Sequence, residues 1–209
     1  LNEKLRVPSI IKKKLGYKGD ILFIEHHLAH AASAFLVSPY EEAAILTVDG
    51  VGEWATASYG YGKGHDLTLL KELRFPNSIG LLYSTVTAYL GFRVNDAEYK
   101  VMGLAPYGKP TYHDKFKKFV DIKEDGSIEF DMSYFDYHYK LTMPSKKFIE
   151  DFGPIRKKES EITQHHKNMA ASLQKITEEI IFKMLNHLYS ETKMQNLCMA
   201  GGVALNSVA

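Results

Sequence analysis

Two short apolar runs punctuate the first quarter of the chain, residues 21–24 (Ile-Leu-Phe-Ile) and residues 43–48 (Ala-Ala-Ile-Leu-Thr-Val), and both read as buried strands. The segment after Ile24 reads as a helix, so the opening unit is strand, helix, strand, with Asp49 at the carboxyl end of the second strand. Residues 54–61 and 66–75, joined by the turn Gly62-Lys63-Gly64-His65, predict two further strands that make an antiparallel meander with the strand before Asp49. Pro76-Asn77-Ser78 then supplies a turn and a helix cap. Apolar positions recur at helical spacing over residues 79–90, until Gly91 stops them.

Beyond the loop at residues 103–108, a helix over 112–120 and a hairpin around Glu124-Asp125-Gly126-Ser127 lead into the aromatic run 134–139. Residues 111–159 read as an insertion whose tyrosines serve packing and specificity. The longest element starts near Ser160, where Ser160-Glu161-Ile162-Thr163 resembles a capping signal, and runs to about Tyr189. Its apolar positions Met169, Leu173, Ile176, Ile180, Met184 and Leu188 form one stripe that predicts a core-facing side. A strand over 197–200 precedes Gly201-Gly202, which reads as the opening of another helix. At the other end, Lys12-Lys13-Lys14 reads as the solvated face of a helix running to Leu15, with Gly16 as its stop. The fold class expected is α/β, a mixed sheet with helices. Three parts are expected: residues 1–110 as a lobe carrying the histidine motif, 111–159 as the insertion, and 160–209 as the start of a second lobe. The chain opens on Leu and ends inside a strand-turn-helix pattern, so it is expected to be truncated at both ends.

Composition narrows the function classes. An apolar content of 45%, with 12% aromatic, is enough for a proper core. A net charge of +1 without a long basic run does not indicate a nucleic-acid partner. The lone cysteine, Cys198, has no internal disulfide partner and sits in the apolar stretch 197–200, which suits an inert buried thiol in a reducing cytoplasm. No apolar stretch approaches a bilayer's thickness, and the start lacks the pattern of a signal peptide.

The candidate chemistry lies in His26-His27-Leu28-Ala29-His30. On a helix, His26 and His30 are one turn apart on one face, and Asp49 arrives at a strand's carboxyl end, where open α/β sheets place their ligands. Two imidazoles and a carboxylate suit a divalent transition metal such as iron, manganese or zinc. A surface histidine pair at this spacing is by itself ordinary; the neighbouring segments give it weight. His27 points off that face and is a candidate to bind phosphate, to act as base toward an attacking hydroxyl, or to support the ligands from behind. Gly50 and Gly52 form a tight turn whose backbone can approach a phosphate or metal. Gly201, Gly202, Val203 and Asn206 would offer backbone amides to an anionic or nucleotide group. Lys100 is a candidate phosphate or substrate contact, with Glu98 orienting it, against a plain surface ion pair. His165 and His166 are adjacent on their helix and point apart, which makes them poor joint ligands. Alternating strands, an Asp-Gly turn, a long helix and a strand-Gly-Gly-helix together describe the two-lobed actin-like ATPase (ribonuclease H-like) architecture.

Five segments carry a resemblance: residues 26–35, 47–53, 76–83, 98–108 and 201–206 look, in that order, like the N-terminal domain of the O-carbamoyltransferases, the enzymes that decorate nodulation factors and several antibiotics. The resemblance runs from about Phe23 to the end of the chain. It implies a two-step reaction, in which a second domain in the full-length chain makes carbamoyl adenylate from carbamoyl phosphate and ATP. The present domain would pass the carbamoyl group to a hydroxyl of a small-molecule acceptor. It also implies a metal, usually assigned as iron, held by His26, His30, Asp49 and a further aspartate expected beyond Asn206. Two other readings stand beside it: a tRNA threonylcarbamoyl-transfer protein, whose metal motif is similar, and a non-catalytic nucleotide-binding scaffold of the actin-like superfamily. The segments at 98–108 and 76–80 favour the small-molecule carbamoyltransferases, and the near-neutral charge speaks against tRNA.

Overall fold

The computed structural model of the chain describes residues 6–209. Its sheet is built on the run before Asp49. Strand β1 (Glu42–Val48) is buried at every residue but the first, because both of its faces are covered and a strand so placed carries a near-continuous apolar sequence. Helix α1 (Val7–Leu15) ends at Gly16 in the left-handed conformation, with Lys12, Lys13 and Lys14 exposed in its last turn. Helix α2 (His26–Phe35) covers one face of the sheet, where Ala31 and Phe35 pack with Ala43, Ile45 and Cys198. Ala44, Leu46 and Val48 alternate with these and face the main core.

Strands β2 (Ala55–Lys63) and β3 (Asp66–Arg74) complete the predicted meander. Helix α3 (Ile79–Tyr89) follows, capped by the Ser78 hydroxyl accepting from the Leu81 N–H at 3.0 Å. Next come α4 (Glu98–Leu104) and a 3-10 turn over Ala105–Tyr107. The short α5 (His113–Phe116) precedes a hairpin of β4 (Val120–Ile122) and β5 (Ile128–Phe130), and α6 (Lys146–Phe152) follows. The 29-residue α7 (Gln164–Thr192) turns Met169, Leu173, Ile176 and Ile180 inward at 0% exposure, each worth about 1.5–3 kcal/mol of burial. Strand β6 (Leu197–Ala200) then lies parallel to β1, giving the order β3-β2-β1-β6. This mixed sheet with helices on both faces is the α/β class expected. No helix among the described residues is long and apolar enough to cross a membrane.

Several local expectations are corrected. Residues 21–24 are not a strand: Leu22, Phe23 and Ile24 are 88%, 73% and 64% exposed, since an apolar run becomes a strand only where a neighbouring strand takes up its backbone groups. Gly103 and Leu104, expected to open the loop at 103–108, instead close helix α4, which also carries Lys100. The helix expected over 112–120 stops at Phe116, because Phe119 and Val120 are needed in the core, Val120 from the hairpin. In residues 160–209, α7 packs on the core of the first part and β6 joins its sheet. The middle section is continuous with that core as well, through Phe116, Phe119, Phe135 and Phe148.

Candidate metal centre and adjoining cleft

The HHLAH segment opens α2 because its five residues carry no helix breaker, and the small Ala31 that follows lets the helix lie flat on the sheet. Helical geometry then does what the spacing predicts. The His26 and His30 rings are 4.5 Å apart between centroids, and both Nε2 atoms lie 2.9 Å from Oδ2 of Asp49. Among the described residues these three are the one group of histidine, cysteine or carboxylate side chains whose ligand atoms gather within 4.8 Å. Oδ1 of Asp49 is engaged separately, accepting the Gly50 N–H at 2.7 Å, which leaves Oδ2 turned to the histidines. Burial raises the Asp49 carboxyl, but hydrogen bonds from His26, the Gly50 N–H and His30 outweigh it and hold the group at about 2.

The donor set fits a divalent metal. Ligands at about 2.1 Å from a common ion and at right angles to one another stand about 3 Å apart, close to the 2.9 Å separations found here. Two neutral imidazoles and a carboxylate match the preferences of iron(II), manganese and zinc.

His27 turns the other way. It is 1% exposed, its Nδ1 lies 2.6 Å from Thr47 Oγ1 and its Nε2 lies 3.0 Å from the Ala55 carbonyl. The carbonyl can only accept, so Nε2 carries the proton and Nδ1 accepts from Thr47. Burial lowers the His27 pKa, with the neighbouring His26 and His30 adding to it against the opposing Ala55 bond. His27 therefore cannot reach a phosphate or serve as base toward a substrate hydroxyl; the expectation is corrected, because the helix face opposite the cleft is the one that meets the sheet.

Beside Asp49 opens a cavity of about 460 Å³ between the end of β1, α3, α4 and the turn after β6. Gly50, Gly202, Val203 and Asn206 line it, as does Glu98. Gly52 and Gly201 do not; they shape the corner from behind. A Cβ on Gly52 would come within 2.7 Å of the His26 ring, and one on Gly201 within 2.3 Å of the Val48 carbonyl. The turn after Gly201 is a 3-10 turn over Gly202–Leu205 rather than the start of a regular helix. Asn206 is clamped in a reciprocal amide pair with Gln174 of α7, at 2.9 and 3.2 Å. The Glu98 carboxylate accepts from the Ser84 hydroxyl and from the N–H groups of Asn95 and Asp96, so it holds the entry to α4 rather than orienting Lys100. Lys100 is exposed, its ammonium 5.9 Å from the ring of Tyr99, and it is not among the residues lining the cavity. The sequence offered Lys100 as a phosphate or substrate contact; α4 turns it outward. Tyr83, Asp96, Tyr99 and Met102 line the cleft without having been singled out; the helical pattern of 79–90 marked Tyr83 only as core. His165 bridges Tyr89 and Tyr112, with both ring nitrogens at 2.8 Å from their hydroxyls, and is no ligand.

An α/β domain with a two-histidine, one-carboxylate cluster at the carboxyl end of its central strand, opening onto a cleft, is the class these observations define. Within it, this chain belongs to the carbamoyltransferase N-terminal family, matching the family described as "Carbamoyltransferase N-terminus" over residues 2–209. It is 50% identical over 219 residues to an uncharacterized protein of Synechocystis sp., an alignment covering 100% of this chain and 36% of that protein. It is 38% identical over 210 residues to nodulation protein NolNO of Sinorhizobium fredii, covering 99% of this chain and 29% of NolNO. An uncharacterized protein of Methanocaldococcus jannaschii is 33% identical over 219 residues, with coverages of 95% and 34%. The chain thus spans about a third of the length of these curated relatives.

Proposed function

We propose that this chain forms the transfer site of a longer carbamoyltransferase, which moves a carbamoyl group from carbamoyl adenylate to a hydroxyl of a small-molecule acceptor. The adenylate would be made from carbamoyl phosphate and ATP by a separate domain of the full-length protein. The observation that carries this reading is the convergence of His26 and His30 on Asp49 at the wall of a 460 Å³ cavity. In the step itself the acceptor oxygen bonds to the carbamoyl carbon, the bond from that carbon to the phosphate oxygen breaks, AMP leaves and the hydroxyl proton passes to a base. A divalent metal held by His26, His30 and Asp49, iron by the family's usual assignment, would polarise the carbamoyl carbonyl and offset charge on the departing phosphate.

The chain's own residues contribute position. The cavity side of Asp49 is flanked by Gly50 and Gly202, which have no side chains to keep a phosphate from the backbone. Val203, Leu205 and Met102 give apolar wall against which a flat ring can pack, and Tyr83 and Asn206 give polar edges. Fixing donor and acceptor side by side converts the transfer to an effectively intramolecular step. Family membership supports the class of reaction.

The test is His30→Ala in the full-length protein, with the two half-reactions followed separately. Pyrophosphate release on adenylate formation should persist, while carbamoylated product falls by about 10³-fold or more, the scale of several kcal/mol of lost charge stabilisation. Loss of both half-reactions in a folded variant would refute the assignment of this site to transfer.

A further inference from the structure

The metal-centre reading leaves one buried group unexplained, and its surroundings say what it does. His27 lies between the two candidate ligands in sequence but behind them in space, and it is held by partners 20 and 28 residues away. Thr47 and Ser58 face each other across the β1–β2 pairing, with their hydroxyls 2.6 Å apart. Because Thr47 donates its proton to His27 Nδ1, Ser58 must donate to Thr47. The chain of donors runs Ser58 to Thr47 to His27 to the Ala55 carbonyl, so it leaves β2 for β1, passes through the helix that carries both histidines and returns to β2. All three side chains are buried, at 2%, 0% and 1% exposure.

Thr47 stands two residues before Asp49 on the strand that delivers the carboxylate, and His27 one residue after His26 on the helix that delivers the imidazoles. No other side-chain hydrogen bond among the described residues joins α2 to the body of β1. We propose that His27, Thr47 and Ser58 form a positioning relay that sets the rotation of α2 on the sheet, and so the distance of the His26 and His30 ring nitrogens from Asp49. This inference rests on the metal-centre reading. Its physical basis is that a buried ring with both nitrogens committed admits one helix rotation, whereas apolar contacts alone tolerate small slips. A slip of a few tenths of an ångström matters little for packing and much for a ligand set that requires three atoms on one point.

Cobalt(II) binding to the full-length protein, read from its visible spectrum and by titration, tests the relay without reference to activity. Thr47→Val keeps the shape and removes the hydroxyl; cobalt should bind about 10-fold more weakly and with an altered spectrum, at the low end of what removing an outer-shell partner costs. Thr47→Ser keeps the hydroxyl and should stay within about twofold of wild type. Wild-type affinity in Thr47→Val, or equal losses in both variants, would overturn the relay. Should Thr47→Val fail to fold, His27→Asn and His27→Gln carry the test. The Asn oxygen reaches the Nδ1 position and keeps the Thr47 bond, while Gln does not, so tighter cobalt binding in His27→Asn is required and equal affinities refute the proposal. A wild-type protein whose cobalt affinity is unchanged by His30→Ala would overturn the metal reading and the relay together.

Discussion

The two walls of the cleft are held by different forces. The corner made by α2, β1 and the turn after β6 is fixed from behind at every point: His27 is locked by two hydrogen bonds, and Gly201 brings the backbone against the Val48 carbonyl. The Ser78 hydroxyl also donates to the Gly50 carbonyl at 2.5 Å. The facing wall, α4, buries only Val101 in the core, with Tyr99 62% exposed and Lys100 in solvent. Its entry rests on one carboxylate, Glu98, which gathers Ser84 and two backbone N–H groups. A corner that holds His26, His30 and Asp49 together needs rigidity to keep them so, while a wall that only shapes a cavity can yield locally. Substitutions should therefore be costly at the corner and cheap on α4.

The largest effect on stability is expected from Gly201→Ala. Gly201 has φ +96°, and an added Cβ would lie 2.3 Å from the Val48 carbonyl oxygen, so strain and clash should cost about 3 kcal/mol or more in urea unfolding. A cost below about 1 kcal/mol would mean that the corner gives way and would erase the contrast.

A smaller effect is expected from acid. Asp49 is held at about 2 against an ordinary 3.8. A carboxyl whose pKa is lowered by folding stabilises the protein above its unfolded pKa, and this contribution is lost as pH falls from about 4 towards 2. In metal-free protein the stability advantage of wild type over Asp49→Asn should shrink by about 1–2 kcal/mol across that window. A difference that stays constant with pH would show that the hydrogen bonds to Oδ2 contribute nothing to folding.

The smallest effect is expected on the other wall. Lys100→Ala removes an exposed ammonium that lies over Tyr99, and should change stability by less than about 0.5 kcal/mol. Carbamoyl transfer by the full-length variant should stay within about twofold of wild type. A large loss of transfer with unchanged stability would bring Lys100 back as a substrate contact and make α4 a mobile part of the site.

Much of the fold and half of the site were legible because they depend on local backbone geometry. Positions four apart converge on any helix, so His26 and His30 could be paired from spacing alone. A continuous apolar run ending in Asp49 marked the central strand, and the three-four stripe from Met169 to Leu188 marked the inner face of α7. The rest depended on partners that lie far away in the chain. Residues 21–24 have the pattern of a strand, yet Leu22, Phe23 and Ile24 lie exposed, because pattern does not supply a neighbour. The place of β6 beside β1 joins segments from opposite ends of the chain, which no period in the sequence encodes. His27 and Lys100 were equally plausible as chemistry by residue type; only the tertiary structure decided, burying one against Thr47 and Ala55 and turning the other to water. Periodicity follows from the geometry of a single element, whereas the role of a polar side chain follows from which element happens to face it.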